Sequence, residues 1–313
     1  MNLLRSIAEL SSLAGPVHLA AGVFDGVHLG HQKVIRRALQ GAAGGGGSAA
    51  VVTFDPHPLR VLRPESAPRL LTSADHKIRL LQELGVETVL VVRFDAAFAA
   101  QPAEQFVRAL AGAARPLKQI CVGYEWRFGR GRAGDIHLLA DLGEELGFEV
   151  TGIPSFRVGG ETASSTLVRE AVRAGDFARA RQFLGREYTV LGTVVEGRML
   201  GRTLGYPTAN LLAHNEQLPP SGVYAVRAEV GGRKLAGVGN LGLRPTVEAD
   251  GALQRRLEIY FFDFEGDLYG KDVEVWFDTF LRDEERFADL DALRAQIALD
   301  VVAARSALCA AQG

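Results

Sequence analysis

At about Gly185 the spacing between one strand-like apolar run and the next collapses, and the class of fold open to the chain changes with it. Before that point the runs Val17–Ala21, Ala49–Phe54, Thr88–Val92, Gln119–Val122 and Phe148–Ile153 are separated by stretches long enough for a helix. Ser73 and Gly85 bracket one such helix as start and stop signals. Pro102 opens another, with Glu104 in the first turn where the helix dipole favours an acid. The glycine run Gly44–Gly47 reads as a flexible connection between the first helix and the second strand. Strands that alternate with helices pair in parallel through right-handed crossovers, so the first half is expected to be a doubly wound α/β layer structure. After Gly185 the runs Tyr188–Val195, Gly222–Glu229, Lys234–Leu241, Leu257–Phe262 and Val273–Phe280 follow one another across Gly- and Pro-bearing links. That spacing predicts antiparallel pairing in a barrel or sandwich. One amphipathic helix, from Asp289 to about Arg305, closes the chain. The expected domains are therefore 1–185 and 186–313.

With 313 residues, 47% of them hydrophobic and 23% charged, both halves can bury a core. The formal net charge of −2 gives no pull toward nucleic acid or an anionic membrane. No unbroken apolar stretch near the N-terminus resembles a signal peptide, and no later run reaches membrane-spanning length. Cys121 and Cys309 are far apart, and Cys121 sits in a strand-like run where a buried structural thiol is expected. The expectation is a cytoplasmic monomer or weak homo-oligomer acting on small molecules, without nucleic-acid or membrane partners.

No Walker loop is present. The pattern G-x-G-x-x-G occurs twice, at Gly129/Gly131/Gly134 and at Gly237/Gly239/Gly242, but neither has the context of a dinucleotide fold. In a chain with 36 glycines such matches arise by composition. A sharper feature follows the first of those strand-like runs: Gly22-Val23-Phe24-Asp25-Gly26-Val27-His28-Leu29-Gly30-His31. Its glycines let the backbone pass close to a ligand, and the next helix offers its N-terminus. His28 and His31, three apart on an opening turn, can face one point and suit a polyphosphate. A zinc-binding pair or a simple turn cap is the alternative for H-x-x-H alone.

This string resembles the nucleotidylyltransferase superfamily, and more closely the bacterial bifunctional riboflavin kinase/FAD synthetase family. Thr53-Phe54-Asp55-Pro56-His57-Pro58, Val122-Gly123-Tyr124-Glu125-Trp126-Arg127-Phe128-Gly129 and Ser164-Ser165-Thr166-Leu167-Val168-Arg169 agree with that family in order. The resemblance implies that Gly22, Phe24, Asp25, Gly26, His28, Gly30 and His31 meet ATP phosphates, together with Ser164, Ser165, Thr166 and Arg169 at a second helix start. Hydroxyls, free backbone N–H groups and a guanidinium suit that task, although Ser-Ser-Thr alone is commonly a helix cap. Pro56, Pro58, Glu125 and Phe128 are then expected near the flavin. The implied reaction joins FMN to the α-phosphate of ATP and expels pyrophosphate, by positioning and charge neutralisation. Where the family has Asp or Asn followed by Phe, this chain has Glu125 and Trp126. A chain whose first half has lost catalysis is the alternative that follows.

In the second half, Gly201-Arg202-Thr203-Leu204-Gly205-Tyr206-Pro207-Thr208-Ala209-Asn210-Leu211 resembles the riboflavin kinase signature. Gly201, Gly205 and Pro207 shape a loop able to fold over phosphates, and Thr208 and Asn210 offer hard oxygen donors for Mg²⁺. By the resemblance, Glu258 is the general base for the riboflavin 5′-hydroxyl. It points away from the face that carries Leu257 and Ile259. Tyr224 and Arg244 fall in segments that surround the pockets in the family, Arg244 either neutralising phosphate or stacking on the flavin. Leu281–Phe287 matches a further segment and is equally readable as a solvated helix entry. The resemblance thus implies a two-activity enzyme with ATP and Mg²⁺, and riboflavin, FMN and FAD as substrate or product. A flavin-binding regulator without catalysis, and an NAD-dependent oxidoreductase resting on the glycine patterns, are the competing classes.

Overall fold

Six strands of the first half form one sheet: β1 (Asn2–Leu4), β2 (Val17–Ala21), β3 (Ser48–Asp55), β4 (Thr88–Arg93), β5 (Leu117–Gly123) and β6 (Glu149–Ile153). The computed structural model describes residues 1–197, 200–245 and 253–310, with the side chains of 200, 243–245 and 253–254 outside that description. The spatial order is β1-β4-β3-β2-β5-β6, and every neighbouring pair runs parallel, as the long strand–helix spacing requires. β1, which has no counterpart among the expected strands, is three residues long and adds to the edge at β4.

Alternate side chains leave this sheet on opposite faces. Leu19, Val52, Leu90 and Ile120 pack with Phe106 and Leu110 of the helix Ala103–Ala113 and Leu139 of the helix Ile136–Leu146. Ala20, Val51, Val89 and Cys121 pack with Ile35 of the helix Leu29–Gly45 and Leu81 of the helix Ala74–Glu83. Both faces are covered, which is why these strands read as apolar at nearly every position. Truncating a fully buried residue such as Ile35 to alanine would cost about 2–5 kcal/mol. The expected flexible glycine link is instead a helix end. Gly44 and Gly45 are helical, and Gly46 caps them at φ 70°.

A two-stranded hairpin, β7 (Arg157–Val158) and β8 (Glu161–Thr162), leads to the helices Ser165–Ala174 and Phe177–Leu184. Six further strands follow: β9 (Thr189–Val195), β10 (Thr208–Ala213), β11 (Gly222–Val230), β12 (Arg233–Pro245), β13 (Leu253–Phe261) and β14 (Asp272–Arg282). They close an antiparallel barrel in the order β10-β13-β12-β11-β14-β9, so the barrel alternative holds over the sandwich. Leu211, Leu241, Leu257 and Ile259 are buried inside it. On the opposite face Val223, Ala225 and Val238 pack against Ala304 and Leu308 of the C-terminal helix Leu290–Ala310. The Asp289 carboxylate caps that helix by accepting the Ala292 N–H at 2.8 Å.

By contact density the chain separates into two units. One holds Met1–Leu70, Ala74–Val168 and Gln182–Gly185; the other holds Leu71–Ser73, Arg169–Arg181 and the chain from Arg186 onward. Among the described residues no helix is long and apolar enough to cross a membrane.

Candidate active sites

The strand order of the first sheet reverses at β2, which has β3 on one side and β5 on the other. Loops leaving the carboxyl ends of such strands diverge and open a crevice. The segments from Gly22 to His28, Asp55 to Pro58 and Tyr124 to Asp135 leave those ends of β2, β3 and β5. His28 is the N-cap of the helix Leu29–Gly45, and its Nδ1 accepts the N–H groups of Gly30 at 3.1 Å and His31 at 3.4 Å. With Nδ1 an acceptor, the proton of the neutral ring sits on Nε2, which is left as a donor. The two imidazoles stack with centroids 3.6 Å apart. Gly30 lies close under His28, so a side chain there would press on the ring.

The loop before them is strained. Phe24, Gly26 and Val27 all have left-handed backbones, at φ 53°, 78° and 43°, a costly state for a β-branched valine. Phe24 is 2% exposed and sets its ring edge-on to His31 at 5.3 Å. Its ring is thus part of the core beneath the histidine pair. Gly22 is needed because a Cβ there would reach the Phe24 ring at 2.9 Å.

The second helix start comes to this loop. Ser165 Oγ donates to the Asp25 carbonyl at 2.9 Å, and Ser164 Oγ accepts the Leu167 N–H at 3.3 Å. Ser164 thus caps its helix, as its residue type alone suggested. Thr166 is exposed, and Arg169 continues the same helix in the other unit. Pro56 is exposed beyond β3, and Pro58 is half-buried at the start of the helix Pro58–Leu62. Glu125 is exposed, whereas Phe128 is 7% exposed and stacks on Trp126 at 4.5 Å and 17°. The larger Trp126 ring is thus accommodated against the core cluster.

Lys77 went unremarked in the sequence. It lies on the apolar face of its helix with Leu80 and Leu81, and is 8% exposed. Its Nζ donates to the Val23 carbonyl and to Thr53 Oγ1, both at 3.1 Å. Burial pushes its ammonium below the usual lysine range, opposed by the carboxylates of Asp25 and Asp55. The signal was present as a cation at a core position of an amphipathic helix.

The glycine patterns have packing reasons. Gly129 and Gly134 are pressed against Ala103, where a Cβ would come within 2.6 Å and 2.8 Å. Gly237, Gly239 and Gly242 lie within β12, a strand and not a phosphate loop.

The barrel carries its polar residues in a row. Asn210 of β10 is paired with Glu258 of β13, which is paired with Asn240 of β12 and through it with Val223 of β11. Thr208, Tyr260 and Val238 form the neighbouring row. Directly paired residues share a face, and this is the outer face that the C-terminal helix covers. A cavity of about 310 Å³ opens there, lined by Thr208, Asn240, Glu258, Tyr260, Leu293 and Ile297 among others. Thr208 also borders a cavity of about 120 Å³, with Pro207, Arg202, Phe264, Asp267 and Tyr269. Glu258 lines only the larger one.

Local chemistry fixes this arrangement. Gly201 has no room for a side chain beside the Tyr206 carbonyl, and Gly205 turns at φ 87°. The Asn210 amide lies against the backbone of Gly197. Arg282, on the cavity wall, donates to both Asp300 oxygens at 2.8 and 2.7 Å and ties the C-terminal helix to β14. That pairing, with Asp300 only 6% exposed, holds the Arg282 guanidinium above its ordinary range.

Tyr224 is not at the cavity. The strand period of two puts Val223 on that face and Tyr224 on the other, 1% exposed, its hydroxyl donating to the Pro220 carbonyl at 2.8 Å. The side chain of Arg244 lies outside the described residues.

Among the described residues no group of three His, Cys, Asp or Glu side chains could hold a metal by itself. Thr208 and Asn210 are two apart on one face of β10 and offer a hydroxyl and a carbonyl. Such a sparse hard-oxygen set fits Mg²⁺ that arrives on phosphate oxygens and takes few protein ligands.

Comparison with known proteins gives both halves a match. The family described as FAD synthetase matches residues 11–167, and that described as riboflavin kinase matches residues 184–308. The bifunctional riboflavin kinase/FMN adenylyltransferase of Escherichia coli (strain K12) is 41% identical over 308 residues, spanning 97% of each chain. The protein of the same name in Pseudomonas fluorescens is 37% identical over 306 residues, spanning 98% of this chain and 97% of that one. A solved structure described as the macrolide-efflux protein from Streptococcus pneumoniae is similar at TM-score 0.79 and 29% identity, covering 96% of this chain and 97% of that one.

Proposed function

The chain belongs to the bifunctional riboflavin kinase/FMN adenylyltransferase family, and from that premise we propose that each unit carries one of the two reactions through the residues just described. In the barrel, the riboflavin 5′-hydroxyl attacks the γ-phosphorus of ATP. A new P–O bond forms, the bond to ADP breaks, and Glu258 takes the hydroxyl proton. The carrying observation is that Thr208 borders two cavities while Glu258 faces only the larger. The larger cavity then holds the flavin and the smaller one the nucleotide, with transfer at the Thr208/Asn210 edge between them. Phe264 and Tyr269 offer apolar surface to the nucleotide and Arg202 offers charge. Mg²⁺, when bound, neutralises phosphate charge, and Thr208 and Asn210 would hold it there.

In the α/β unit, an oxygen of the FMN phosphate attacks the α-phosphorus of ATP, and pyrophosphate leaves. The protein needs no covalent nucleophile. The Nε2–H of His28, the stacked His31, and the backbone N–H groups at the starts of Leu29–Gly45 and Ser165–Ala174 meet the charge that gathers on the phosphates. Gly26 and Gly30 keep the backbone open to them. The intact stack of Trp126 on Phe128 supports retention of this activity in place of a kinase-only chain.

The test is to incubate the purified chain with riboflavin, ATP and Mg²⁺ and resolve the flavins by chromatography. FMN followed by FAD is expected. FMN alone would remove the adenylyltransferase half of the proposal, and unchanged riboflavin would overturn both.

A further inference from the structure

We propose that Asn240 is a specificity-determining residue of the kinase site, whose side-chain amide binds a hydroxyl of the flavin's polyol tail other than the one that is phosphorylated. The inference rests on the reading of the larger barrel cavity as the flavin site and of Glu258 as its base.

Asn240 stands directly across from Glu258 on the adjacent strand, and Asn210 stands across on the other side. Three neighbouring strands thus present amide, carboxylate and amide in one line on one face. The two amides differ in their surroundings. Asn210 is packed against the Gly197 backbone, next to the Thr208 edge. Asn240 lines the flavin cavity. Its Oδ1 is buried, and among the described residues it has no hydrogen-bond partner.

A buried polar atom without a partner costs free energy, and native chains satisfy nearly all such atoms. One that stays unsatisfied on a cavity wall, beside a catalytic carboxylate, is matched by what enters the cavity. With the 5′-hydroxyl at Glu258, the isoalloxazine lies at the far end of the tail from the row. The chain leading to that hydroxyl is the part that runs past Glu258. It carries hydroxyl groups, each both donor and acceptor, and an amide that turns about its last bond offers either end to them. Phosphoryl transfer in this site depends on placing one hydroxyl in line with the γ-phosphorus. A contact to a second hydroxyl one or two carbons away fixes that placement and rejects tails that lack it.

The experiment measures kcat/KM for the kinase step with riboflavin and with its three monodeoxy analogues lacking the 2′-, 3′- or 4′-hydroxyl. It uses the full chain and the Asn240→Leu and Asn240→Ala variants. In the unsubstituted protein, one analogue is expected to lose about 10- to 100-fold relative to riboflavin. Both variants should lose a similar factor on riboflavin itself, and no more on that same analogue, with KM for ATP and the FMN-to-FAD rate unchanged. The proposal falls if the variants match the unsubstituted protein on riboflavin, or if their loss multiplies with that of every analogue. It falls as well, whatever the variants do, if the unsubstituted protein accepts all three analogues as well as riboflavin. Absence of FMN formation by the unsubstituted protein would instead remove the kinase reading beneath it.

Discussion

His28 commits Nδ1 to its own helix, accepting the N–H groups of Gly30 and His31, so the residue that the motif marks also starts the element. The motif was visible in the sequence, whereas the tautomer follows from the cap. The strand that carries Glu258 was legible for a different reason, since its alternation with Leu257 and Ile259 is a strand pattern. That Tyr224 and Phe24 are buried was not legible, because motif membership does not say which face a side chain takes. The two thiols give a prediction at this scale. Burial pushes the Cys121 thiol up to about 12 from an ordinary 9.0, whereas Cys309 is exposed. Iodoacetamide at about pH 8 should therefore modify Cys309 and spare Cys121 until the chain is unfolded. Peptide mapping checks it, and rapid labelling of Cys121 in the folded protein contradicts it. A raised thiol pKa adds stability that is complete below the unfolded value and lost as pH rises toward the folded one. Between pH 9 and 11, denaturant stability should fall less for Cys121→Val than for the unsubstituted chain.

The strained loop from Gly22 to Val27 has its geometry imposed from outside, because three left-handed residues do not hold themselves there. Lys77 grips the Val23 carbonyl from the helix Ala74–Glu83, and Ser165 grips the Asp25 carbonyl from the next helix start. Lys77→Met keeps the apolar stem and removes the donor. It should lower kcat/KM for FMN-to-FAD conversion about 10-fold or more through loss of loop geometry, and lower stability by about 1–3 kcal/mol. Riboflavin-to-FMN conversion should be unchanged. Steady-state kinetics of the two half-reactions decide, and an unaltered FMN-to-FAD rate would show that the loop holds its shape without the lysine. Propensity alone did not show this, since a lysine in a helix is ordinarily solvated, and the signal lay in its position on the apolar face of the helix. The short strands were hidden for similar reasons. β1 has three residues, and β10 begins at Thr208, inside the stretch that reads as a phosphate-covering loop.

At the scale of the molecule, a parallel sheet and an antiparallel barrel or sandwich were both implied by spacing alone, because helix-length gaps demand crossovers and short links forbid them. What spacing could not convey is which face of the barrel meets the C-terminal helix and lines the cavity. It is the face that bears Glu258, Asn210 and Asn240. The residue exchange between the two units at 71–73 and 169–181 was equally invisible, since it is fixed by contacts distant in sequence. If two independent phosphate-transfer sites occupy one chain, separate substitutions silence them separately. The comparison is between Glu258→Gln and the double substitution His28→Ala and His31→Ala, each assayed separately for riboflavin-to-FMN and FMN-to-FAD conversion. Glu258→Gln should lower FMN formation by about 10²-fold or more and leave FMN-to-FAD conversion within about twofold, and the histidine pair should do the reverse. Loss of both reactions from either change, in a protein that remains folded, would contradict it.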